Sequence, residues 1–288
     1  MASSATQSSE RGDNVSLKVM VDKVRNKVVY AEAGKDFVDV LFSFLTLPMG
    51  TIARLVATES NIEAVKFGSI SSLYQSVSDL DQQYLCSPIS KEMLLKPRIS
   101  MDGLNTMVVH TSNLILVENG FVNEIATFII LDDLSVLPND LGKSLCLLQI
   151  NGINDIADIE RKTLLISNKE VIDLLKLSLL SKTPLTDFIV RKKQLIRNSN
   201  TSFMSENRLF GRSIPSEDGK QIAVKLLVRK SNRKILFAIA EEDFADFLFS
   251  FLTFPLGGVL QLLGGSSSLS CIDNLYKSVT ELIPEKCF

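Results

Sequence analysis

Residues 36–50 read DFVDVLFSFLTLPMG, and residues 243–257 read DFADFLFSFLTFPLG. Eleven of these 15 positions are identical at a constant offset of 207. Working outward, the offset holds without a gap from residues 15–55 onto residues 222–262, where 18 of 41 positions agree, so the 26 positions outside the central block supply only 7 identities. A second block follows at an offset of 202, where Leu73, Tyr74, Ser76 and Val77 meet Leu275, Tyr276, Ser278 and Val279. Length alone, 288 residues, would give about two domains. The repeat replaces that figure with a duplicated module around an inserted unit. Nothing matches residues 82–98 a second time, so the later copy is expected to be the shorter one.

Each copy opens on a hairpin pattern. Val15, Leu17, Val19 and Val21 alternate with Ser16, Lys18, Met20 and Asp22, a polar break follows at Arg25, Asn26 and Lys27, and an apolar run resumes at Val28. The second copy repeats this as AVKLLV, a basic turn, and ILFAIA. Val28 becomes Ile235 and Tyr30 becomes Phe237, so size and apolarity are kept, as a buried sheet face in both copies requires.

A helix follows each hairpin. Asp36 and Asp39 have the spacing of an N-cap and its third helical residue, and Pro48 with Gly50 is expected to close the element. The polar residues Asp36, Asp39, Ser43 and Thr46 form one narrow stripe on an otherwise apolar helix, and Asp243, Asp246, Ser250 and Thr253 repeat it. Read chemically, the stripes are candidate ligand-binding residues, two carboxylates and two hydroxyls on each helix. Read structurally, Asp36 caps, Asp39 sits against the helix dipole, and Ser43 and Thr46 face solvent. The structural account explains both acids without leftover chemistry.

Between the copies the pattern changes. Residues 127–131 and 163–166 read as strands, 141–149 and 168–180 as helices, and Thr183 followed by Pro184 opens a further helix. The most apolar uncharged run, residues 247–260, has 14 residues where a spanning helix needs about 20, and Pro255 breaks it. No transmembrane span is expected.

Composition narrows the function. Hydrophobic residues make up 45%, enough for packed cores, and 31 Lys plus Arg against 33 Asp plus Glu argues against a nucleic-acid-coating surface. The single histidine, His110, removes multi-histidine metal sites and lies among apolar neighbours, where a structural role is expected. Cys86, Cys146, Cys271 and Cys287 have no paired short spacing and read as buried reduced thiols. Residues 1–14 hold no apolar run of signal-peptide length, which gives a cytoplasmic expectation with a nuclear or plastid location as alternatives. From Arg191 to Arg212 six basic residues face one acid, Glu206, in a loop-like composition that reads as a linker.

Several unrelated blocks together carry a resemblance: KVVYAEAGKDFVDVLFSFLTLPMGTIARL, SLYQSV, KEMLLKPR, FIILDDLSVLPN and LLKLSLLSKTPLTDFI. With these the chain resembles the plant family of domain of unknown function 674. The resemblance implies a land-plant origin and two related halves, brings no catalytic residues to carry over, and marks this chain as a shortened member.

The fold expected is α+β, with duplicated β-hairpin-plus-helix modules flanking a central α/β unit. The bounds are a disordered 1–14, a first module 15–100, a central unit 101–190, a basic linker 191–220 and a second, shortened module 221–288. The two modules either pair with each other about a pseudo-twofold or complete their sheets with central strands. The function expected is a non-enzymatic protein-interaction or regulatory module with a protein partner and no catalytic residue, metal or cofactor. The alternatives are a small-molecule-binding protein or atypical enzyme using the stripes, and a membrane-surface protein.

Overall fold

The structure, a computed structural model, describes residues 14–57, 62–97, 120–123, 126–140, 142–153, 155–190 and 222–282. His110, Cys287, the N-terminal 13 residues and the basic connector lie outside the described residues.

The alternating run at the start forms β1 (Val15–Asp22), paired antiparallel with β2 (Lys27–Ala33). Asp22 makes the turn, its Oδ1 accepting from the amides of Val24 and Arg25 at 2.9 Å each, and Asn26 takes the left-handed conformation that asparagine tolerates. Central strands complete this sheet. β5 (Ile159–Ile166) runs antiparallel along the whole outer edge of β1, and β3 (Phe128–Ile130) with β4 (Val136–Pro138) extends the β2 side, giving the order β4-β3-β2-β1-β5.

Two layers cover the sheet. On one face Leu17, Val19, Val21, Val28 and Ala31 join the main core, built with α1 (Lys35–Thr46), α2 (Met49–Ala57), α6 (Asn168–Leu180) and α7 (Pro184–Ile189). On the other, Met20, Val29, Tyr30 and Ile129 meet Leu147 and Leu148 of α5 (Lys143–Ile150). α6 begins on a capping box in which Ser167 and Glu170 exchange hydrogen bonds, a Ser-x-x-Glu signal legible in the sequence. Thr183 is the N-cap of α7 and Pro184 its first residue, as the spacing predicts.

The second copy repeats the local structure closely. Its β6 (Val224–Val228) and β7 (Ile235–Ala240) carry their register shift between Leu227 and Val228, where β1 carries its own between Met20 and Val21, and Arg233 is left-handed where Asn26 is. Then come α8 (Glu242–Ser250), α9 (Leu256–Leu262) and α10 (Ser270–Leu282), the last matching α3 (Gly68–Asp79). A short α4 (Pro88–Leu95) follows α3 in the first copy.

The modules interlock. Pro48 bridges Pro255, Met49 N donates to Phe254 O at 2.9 Å, Gly50 N to Leu252 O at 2.8 Å, and Leu256 N to Leu47 O at 3.0 Å. A Cβ on Gly50 would lie 3.0 Å from Leu252 O, and one on Gly257 3.0 Å from Leu45 O, residues that are each other's counterparts at the offset of 207. The contact is therefore a pseudo-twofold, in which each copy's glycine admits the other's backbone. α10 packs on α1 of the first copy, whereas α3 stays mainly on its own α2 and also touches α8. The first module thus uses both arrangements left open by the sequence. α1 ends at Thr46 with an extended Leu47 just before Pro48, as expected, and a second helix, α2, starts at Met49 and contains Gly50.

Candidate functional site

The two stripes occupy different surroundings. On α1 the N-cap is Gly34 and not Asp36, and Gly34 has no side chain to cap with; Asp36 stands exposed in the first turn. Asp39 is largely buried, with Oδ1 accepting from Phe121 N at 2.6 Å and Val122 N at 3.2 Å. Its Oδ2 pairs with Lys35 Nζ at 2.6 Å, and the same ammonium donates to Val122 O at 2.9 Å. Gly120 passes so close that a Cβ would meet both charged groups, and its φ is +61. Lys35 and Asp39 thus clasp the backbone of residues 120–122 onto α1. Ser43 is fully buried, contrary to the expected solvent face, because α1 is covered on nearly every side; its hydroxyl donates to Val40 O at 2.6 Å, and Thr46 donates to Ser43 O at 2.8 Å.

On α8 the pattern is repeated without the setting. Ser250 donates to Phe247 O at 2.7 Å and Thr253 to Ser250 O at 2.8 Å, while Asp243 and Asp246 are exposed. Glu242 stands where Lys35 stands, so the clasp has no cation in this copy. All four hydroxyls are spent on their own helices, which also explains their spacing.

Two of the resemblance blocks meet at a polar joint that sequence reasoning missed. Asp132 accepts from Thr186 N at 2.8 Å and from Thr186 Oγ1 at 2.7 Å, and Thr186 Oγ1 accepts from Val28 N at 2.9 Å. Burial pushes the Asp132 carboxyl up from its ordinary value against the pull of Thr186 and Lys27. The joint locks α7 to β2 and the β3–β4 turn.

The cysteines divide. Cys271 is buried, its thiol pushed up to about 11 by desolvation, but Cys86 and Cys146 are exposed, so burial of all the thiols does not hold. Cys146 lies on α5, which has no buried residue, and Cys86 lies in the turn just before α4. Among the described residues no group of three or more His, Cys, Asp or Glu is placed to hold a metal ion, and no helix is long and apolar enough to cross a membrane. A half-open cleft of about 530 Å³ lies between α2 and α3, lined by Ala53, Lys66, Ser72, Gln75 and Asp79 among others, and contains no stripe residue.

The largest departure from expectation is the β6–β7 hairpin. Val19, Val28 and Tyr30 are 0%, 1% and 4% exposed, whereas their counterparts Leu226, Ile235 and Phe237 are 55%, 56% and 52% exposed. Both faces are open, and among the described residues no strand pairs with either outer edge. The second hairpin is not a buried sheet, because the described residues supply β3, β5 and α5 once, and the first copy takes them. Residues 222–240 carry Lys225, Arg229, Lys230, Arg233 and Lys234 and no acid. The sequence held one hint of this: Glu32, at the first sheet's partly exposed position, is replaced by Ile239.

No curated protein and no solved structure matches the chain. The family described as protein of unknown function (DUF674) matches residues 11–109 and 104–288. The two matched segments together span nearly the whole chain, which therefore belongs to that family.

Proposed function

We propose that the protein is a non-enzymatic protein-interaction module whose contact surface is the β6–β7 hairpin. The observation that carries the reading is a two-stranded ribbon with exposed apolar side chains on both faces and, among the described residues, no strand on either edge, whereas the homologous first ribbon is covered on both faces and paired on both edges. Such a ribbon alone is marginal in water, and exposed apolar patches of this extent mark contact sites. Three of the four stripe carboxylates have structural roles, Asp39 in its clasp and Asp36 and Asp243 at the helix N-termini, and Asp246 is exposed.

The test compares the wild-type chain with a Leu226→Lys, Phe237→Lys double variant, both sites being half exposed so that folding is spared. A stoichiometric protein partner held by the wild type and lost by the variant, at an unchanged melting temperature, supports the reading. Equal recovery by both chains overturns it.

A further inference from the structure

We infer that the cleft between α2 and α3 binds an elongated zwitterion of tripeptide size, with its carboxylate at Lys66 and its ammonium at Asp79. The inference goes beyond the hairpin and does not depend on it. Three observations point to it.

The first is the placing of charge. Lys66 stands just before α3 and Asp79 is the last residue of that helix, and both line the cleft. The Asp79 carboxylate accepts from the Gln75 amide at 2.7 Å, a neutral donor that leaves its charge in place. Among the described residues neither Lys66 nor Asp79 has an oppositely charged partner. The macrodipole of α3 has the same sense, positive towards Lys66 and negative towards Asp79. A polyanion suits only the Lys66 end, and a polyamine only the Asp79 end. A ligand with one charge of each sign at its two ends suits both.

The second is size. The cleft holds about 530 Å³, within the range of small-molecule sites. Its α3 wall runs from Ser71 to Asp79, about 12 Å by helical rise. The two charges of a single amino acid are too close together to reach both ends, whereas three extended residues span about 10 Å. Between the ends, Ser72 and Gln75 supply polar groups for the ligand's amides, and Ala53 and Ala57 give the floor nothing larger than a methyl group.

The third is the contrast with the second copy. Ala53 corresponds to Leu260, which is 1% exposed in the main core, and Gln75 and Asp79 correspond to Lys277 and Glu281, which pair at 3.7 Å. There a large side chain takes the place of the small floor residue, and the carboxylate is neutralised from its own helix. The first copy keeps both the small floor and the uncompensated charges.

The full chain is titrated calorimetrically with trialanine carrying free termini, and with its N-acetyl and C-amide forms. The free peptide is expected to bind, and each blocked form to bind about fivefold more weakly, the upper worth of a partly exposed ion pair. Asp79→Asn is expected to bind the free and N-acetyl peptides equally, and Lys66→Gln the free and C-amide peptides equally. Both side chains are exposed, so the melting temperature is expected to stay unchanged. Ala57→Leu, at an exposed floor position, is expected to abolish binding. The Leu226→Lys, Phe237→Lys variant is expected to bind as the wild type does, which separates this site from the hairpin. No binding of trialanine up to about 10 mM overturns the inference. So does equal binding of the three peptides, or a discrimination between them that survives in Asp79→Asn and Lys66→Gln. Binding kept by Ala57→Leu and lost by the hairpin variant places the peptide elsewhere and also overturns it.

Discussion

The two copies share a backbone down to the bulge and the left-handed turn residue, yet α1 buries eight of its side chains and α8 none. Sequence identity is highest on these two helices, so local pattern does not decide burial here. What decides it is the layer around each copy: α1 lies under a five-stranded sheet and receives α9 and α10, whereas α8 has a bare ribbon above it. The lesson is that a repeated module keeps its shape through local geometry and obtains its stability from whatever packs on it.

Phenylalanines sharpen this contrast most. Phe44 is fully buried, and its counterpart Phe251 is half-buried beside Phe247 and Phe254. Phe44→Ala is expected to cost about 3–5 kcal/mol in chemical denaturation, and Phe251→Ala about 1–2. Equal costs would break the comparison.

The stripe acids come next. Asp39→Ala leaves two backbone amides and an ammonium short of an acceptor, an expected loss of about 2–4 kcal/mol, whereas Asp246→Ala, exposed, is expected to cost less than ~0.5. Stability curves for the two variants decide whether the repeated spacing has one role or two.

The glycines at the pseudo-twofold run the other way. Because Gly50 and Gly257 each admit the other copy's backbone at 3.0 Å, Gly50→Ala and Gly257→Ala are expected to destabilise by similar amounts, about 1–3 kcal/mol each. A large difference in melting temperature between them would show that the joint is not symmetric.

The smallest effect is in pH. Val28 N is held by Thr186, which is held by Asp132, a joint that Ile235 lacks. Burial raises the Asp132 carboxyl, so the folded chain binds its proton more tightly than the unfolded chain does. That contribution is fully present below the ordinary carboxylate value and is lost as pH rises through the raised one. Wild type is therefore expected to lose stability relative to Asp132→Asn across that window, and a pH-independent difference would place the burial elsewhere.

Most of the secondary structure was legible in the sequence. The alternation at residues 15–22, the helix at 168–180 and the Thr183-Pro184 start all match, because each is set by periodicity or capping within a few residues. The stripes were legible as residues but not as surroundings: nothing near Asp39 in sequence announces Phe121 and Val122, 82 and 83 residues away. The open hairpin was illegible for a related reason. Its apolar side chains match those of a buried one, and exposure depends on which copy the described central strands join. Asp132 and Thr186, 54 residues apart, were hidden in the same way.

The packing of α10 on α1 also orders events during synthesis. The apolar surface of α1 is complete once residue 46 has emerged, but α10, which closes it with Ile272 and Leu275, comes more than two hundred residues later. At typical translation rates that interval is roughly ten to fifty seconds. Throughout it the nascent chain presents an uncovered Phe-rich helix, a demand on chaperones that a module closing on its own helices would not make.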